Sequence, residues 1–132
     1  QAGVLLAKLP HFAEEIKARG RIGARYTEKL RDVCKTPIIA PGNTHVYAQY
    51  TIRTSNRDGL KAKLSETGIP TAIYYSKCLH EQPVFESLGY LWGTFPKAEK
   101  ASREVISLPM HPFLQEVEQD RVISSVLAAL ST

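Results

Sequence analysis

The residues best equipped for chemistry lie close together: Tyr74, Tyr75 and His80, within the stretch IPTAIYYSKCLHEQPVF from Ile69 to Phe85. A tyrosine face stacks on a flat ring, while its hydroxyl, or an imidazole, hydrogen-bonds a sugar or a phosphate. The tyrosines end a run that alternates like a strand, with Ile69, Thr71, Ile73 and Tyr75 on one side. Alternation sends neighbours to opposite faces, so only one of the two tyrosines is expected to join His80 at the rim. Such a rim recognises a ligand; by itself it defines no reaction.

Other chemistries find less support. Cys78 stands close to His80, but neighbouring loop residues rarely converge as nucleophile and base, and no third group is visible to orient the imidazole. His45, His80 and His111 each fall near a predicted strand end, which invites a zinc site. They are more than thirty positions apart, without the short-spaced pair such sites use, so no metal is expected. His11 reads as a surface residue. A Gly-rich phosphate loop, an HExxH motif and a pair of carboxylates on one face are all missing from the sequence.

The elements that must position the rim follow from hydrophobic spacing. Leu5, Leu9, Phe12, Ile16, Ile22, Tyr26, Leu30 and Val33 recur at mostly three and four, predicting a long helix over residues 2–33. Pro10 predicts a kink, or a break near Lys8. Residues 45–53 (HVYAQYTIR) alternate, with Val46, Ala48, Tyr50 and Ile52 facing inward, as a half-buried strand. A helix capped at Ser55 or Asn56 and stopped at Gly68 leads to a second strand over 69–75. After a short turn at 84–90, a helix near 97–104 precedes a third strand over 105–108. An amphipathic helix over 114–130, with Val117, Val122 or Ile123, Val126, Leu127 and Leu130 as its apolar stripe, closes the chain. This is an α+β design: a small three-stranded, largely antiparallel sheet with helices packed on it, preceded by a long N-terminal helix.

At 132 residues the sequence fits one domain. No apolar run approaches the 18 residues of a membrane span, and two distant cysteines, Cys34 and Cys78, suit a reducing cytoplasmic compartment. Lys17, Arg21 and Arg25 share a helical face within a net charge of +4, but Glu14, Glu15, Glu28 and Asp32 dilute it. Nucleic acid is therefore not an expected partner. The only methionine is Met110, and apolar periodicity is already running at Gln1, so the chain is expected to start inside an element of a longer polypeptide.

Three blocks taken in order carry a resemblance: HVYAQYTIR with RDGLKAKL, GIPTAIYY with LH-x-QPVF, and FPKAEKASREVISLPMHPFL. Together with the opening helix they resemble the C-terminal domain of the DegT-type sugar aminotransferases, pyridoxal-phosphate enzymes of fold-type I. The most specific part is the block containing Ala98, Glu99, Ser102 and Ser107 to Pro112. The resemblance implies residues 1–35 as an inter-domain helix and 36–132 as the C-terminal domain, with the large pyridoxal-phosphate domain absent. It implies a parent enzyme, homodimeric, that moves an amino group from an amino acid, usually glutamate, to a nucleotide-linked keto-sugar in polysaccharide or amino-sugar synthesis. The Schiff-base lysine would lie on the absent domain, so this piece is expected to bind no cofactor and to be inactive alone. His80, with Tyr75 or Tyr74, would belong to the wall that contacts the nucleotide-sugar, and His111 would serve packing or capping. The family's YYPxPLH pattern is broken here by Ser76 and Cys78, which removes two prolines and loosens the loop. The competing reading is a stand-alone nucleotide- or protein-binding module using the same rim.

Overall fold

A computed structural model describes residues 1–131. The N-terminal helix is interrupted where Pro10 demands it: α1 (Ala2–Lys8) passes through a 3₁₀ turn (Leu9–His11) into α2 (Phe12–Leu30). Proline lacks the N–H that an unbroken α-helix would use and crowds the preceding turn. Val4, Leu5, Leu6, Leu9 and Phe12 are all more than half exposed, whereas from Ile22 onward α2 buries a stripe of Ile22, Tyr26 and Leu30 in the core.

The sheet is smaller than the alternation predicts. β1 (Tyr50–Arg53) and β2 (Val105–Leu108) pair antiparallel, Tyr50 opposite Leu108 and Arg53 opposite Val105. The expected third strand at 69–75 contributes one pair only, Ala72 with Ser107, whose two hydrogen bonds measure 3.2 and 2.7 Å. Pro70 supplies no donor for a longer ladder, and Tyr74 and Tyr75 already lie in a turn, joined by a cis peptide bond. On the far edge, Lys35 makes a similar single pair with Arg53.

The predicted strand at 45–53 forms only in its second half. Tyr47 has φ +45° and its N–H donates to His45 Nδ1 at 2.8 Å, so the backbone turns instead of extending. Inside and outside are thereby exchanged: Tyr47 is buried, and Val46, expected inward, is half exposed.

The remaining helices are α3 (Arg57–Glu66), α4 (Pro96–Glu104) and α5 (Glu116–Leu130). α5 packs against both α2 and α3. It buries Val122, Ile123, Val126 and Ala129, while Val117, assigned to the stripe by spacing, is exposed. Two polar residues are satisfied inside this layer. Gln119 Nε2 donates to the Ile22 carbonyl at 2.8 Å, and Arg57 Nη1 donates to the carbonyls of Ser102 and Val105 at 3.2 and 3.4 Å. The second contact ties α3 to the α4–β2 junction, the platform on which the candidate site stands.

Candidate functional site

Three segments build the site: the turn at 74–82, the aromatic loop at 83–95, and the first turns of α4. Pro83 and Pro96 each occupy the opening of a helical turn, where a missing N–H costs nothing. Cys78 N–H donates to Glu81 Oε2 at 2.8 Å and holds the 3₁₀ turn Leu79–Glu81. A proline at position 78 could not make this bond, since it has no N–H.

Two adjoining hollows result. The first, about 480 Å³, is lined by Tyr74, Tyr75, Lys77 and Gln82 on one side and by Ala101 and Ser102 of α4 on the other. The second, about 450 Å³, is almost wholly apolar, with His80, Phe85, Leu88, Tyr90 and Phe95 around it. Cys78, Leu79 and Ala98 border both. The two tyrosine rings stand edge to face, 6.0 Å apart, and Tyr75 is 76% exposed. Both therefore share one hollow, contrary to the alternation argument, because no strand exists there to send them to opposite faces. His80 lines the neighbouring hollow, with its ring 5.0 Å from that of Phe95.

The residue that sequence reasoning undervalued is Glu99. Its carboxylate is buried, yet it accepts N–H bonds from Gly93 at 2.9 and 3.0 Å and from Phe95 at 3.0 Å, and it contacts His80 Nε2 at 3.1 Å. Burial alone would raise its pKa; the Phe95 and Gly93 N–H groups and the His80 ring outweigh that and hold the carboxyl below the usual range. The available signal was its place in the first turn of a helix opened by Pro96, where an anion meets unpaired N–H groups. One turn on, Arg103 stacks over Trp92 at 4.3 Å and its Nε donates to the Glu99 carbonyl at 3.4 Å.

The rival chemistries can be placed as well. Burial pushes the Cys78 thiol up, the wrong direction for a nucleophile at neutral pH. Among the described residues no three His, Cys, Asp or Glu side chains converge on a metal-sized site. His45 lies against Tyr47, at 4.3 Å between rings. No helix among the described residues is long and apolar enough to cross a membrane.

The sheet and the helix order are shared with solved aminotransferase structures. The DegT/DnrJ/EryC1/StrS aminotransferase family model matches residues 1–127, and the chain belongs to that family. It is 40% identical, over 99% of its length, to UDP-2-acetamido-2-deoxy-3-oxo-D-glucuronate aminotransferase of Pseudomonas aeruginosa. A pleiotropic regulatory protein of Geobacillus stearothermophilus is 45% identical over 96% of the chain. Among solved structures, a DegT DnrJ EryC1 StrS aminotransferase from Brucella abortus superposes on the whole chain with a TM-score of 0.93 at 44% identity. DesV of S. venezuelae does so with a TM-score of 0.96 at 31% identity. The chain spans about 35% of the length of these relatives.

Proposed function

We propose that this chain is the C-terminal lobe, helix 1–35 followed by domain 36–132, of a pyridoxal-phosphate enzyme. That enzyme transfers an amino group, with glutamate as donor, to a nucleotide-linked keto-sugar. The observation that carries the reading is the family match across nearly the whole chain, joined to a tyrosine-lined hollow of a size suited to a ring. Tyr74 and Tyr75 offer faces and hydroxyls to the nucleotide-sugar, and His80 braces the neighbouring wall. A cytoplasmic homodimer is part of the same proposal.

The hollows do not fit the cofactor by themselves. Pyridoxal phosphate needs an amine for its aldehyde, a carboxylate for its ring nitrogen and donors for its phosphate. The first hollow offers Lys77 but neither a carboxylate nor an arginine, and the second has no lysine or arginine. The lobe's part is therefore to bind and orient substrate while the rest of the enzyme supplies the cofactor site.

The test is to express the complete reading frame that carries this chain with pyridoxal phosphate. Amino transfer from glutamate to UDP- or dTDP-linked keto-sugars is then assayed. Tyr75→Ala is expected to raise KM about tenfold with kcat little changed, the mark of lost ground-state binding. A protein that binds nucleotide but transfers no amino group under any donor would replace this reading with a binding module.

A further inference from the structure

Four hydrogen bonds converge on one buried carboxylate, and they join three separate segments. His80 belongs to the turn at 79–81, Gly93 and Phe95 to the aromatic loop, and Glu99 itself to α4. The ionised acceptor needs a proton on His80 Nε2. Nδ1 makes no hydrogen bond among the described residues, and the ring lines the apolar hollow. Gly93 donates to both carboxylate oxygens from a backbone of φ +93°, a conformation that favours glycine.

We propose that Glu99 is the positioning residue of the site: as an anion it clasps the loop 90–95 onto the His80 turn, and the hollow keeps its shape only while that carboxylate is ionised. A neutral acid loses on two counts. It must donate a proton where three groups already donate, and it gives up the charge that strengthens each N–H bond. The other ionisable groups facing this point are few: Cys78 and Glu81 on the turn, and Arg103 on α4. The role of this clasp in substrate binding rests on the function proposed above; its existence does not.

Trp92 is the only tryptophan in the sequence and adjoins Gly93, so its fluorescence reports the loop directly. In the wild-type chain, acidification is expected to red-shift Trp92 emission while far-UV circular dichroism stays native, with a midpoint below the usual glutamate range. Glu99→Gln, of equal shape but uncharged, is expected to show the red-shifted emission already at neutral pH and to lose the acid step. Glu99→Asp, one methylene shorter, should recover part of the step. Wild-type emission that stays constant until the whole fold is lost would overturn the proposal. So would a Glu99→Gln chain that keeps both the neutral emission and the step. If Glu99→Gln does not fold, the wild-type titration and Glu99→Asp decide alone. A confirmed clasp in a protein without aminotransferase activity would sink the function and leave this inference standing.

Discussion

Tyr47 lays its ring against Gly23 so closely that a β-carbon at position 23 would stand 2.6 Å from Tyr47 Cε2. The ring cannot easily retreat: His45 packs on it at 4.3 Å, Tyr50 lies 5.9 Å away, and Arg19 Nη1 holds the Tyr47 carbonyl at 3.0 Å. Gly23→Ala should therefore destabilise, with overpacking of about 1–3 kcal/mol exceeding a helix-propensity gain of up to about 1 kcal/mol. Gly20, on the same helix, has nothing within 4 Å of a built β-carbon, so Gly20→Ala should stabilise by up to about 1 kcal/mol. Urea unfolding of the two variants checks the contrast in sign.

Leu60 of α3 is fully buried in the core beneath the β1–β2 pair. Leu60→Ala is expected to cost about 2–5 kcal/mol, read as a lower denaturation midpoint at unchanged slope.

Burial raises the Cys34 thiol to about 11. Between the ordinary thiol value, near 8.5, and that raised one, the folded chain keeps a proton that the unfolded chain releases, so stability falls as pH rises through this window. Alkylation of Cys34 at pH 9.5, followed by peptide mass spectrometry, should run at least about tenfold slower in the native chain than in urea.

The exposed apolar stripe of α1 and the 3₁₀ turn after it (Leu5 67%, Leu9 65%) should drive this chain to self-associate when handled alone. Leu5→Lys with Leu9→Lys should reduce the sedimenting mass at high concentration; a wild-type chain that sediments as a clean monomer would count against the expectation.

Cys78 has φ −69°, which proline could adopt, but its N–H is engaged by Glu81. Cys78→Pro should therefore loosen the turn, with a lost charge-assisted bond of about 1.5–3 kcal/mol in a buried setting, less in this partly exposed one, against an entropic gain of about 0.4–1 kcal/mol. Thermal melting and Trp92 emission together report it.

What the sequence disclosed, and what it hid, divides along the range of the interactions. Helix α3, with Leu60 and Leu64 inward, follows from its spacing, and β2 at Val105–Leu108 from a short run stopped by Pro109. The strand at 45–53 misleads because Tyr47 leaves the extended region to fill the space over Gly23, a partner that no alternation rule sees. The predicted third strand shrinks to Ala72 because its tyrosines turn away from the sheet. His80 stood out by type; Glu99 escaped notice as a site residue because the bond between them spans 19 positions.

The single pair between Ala72 and Ser107 has a bearing on how this fold can vary. Beyond that anchor, residues 74–95 are held chiefly by the carboxylate of α4 and by their own short turns, and hardly at all by the ladder. Mutations there can re-cut the contour of the two hollows while the β1–β2 register and the helical layer beneath stay as they are. Novelty in ligand choice and persistence of architecture thus become separable traits within one small lobe.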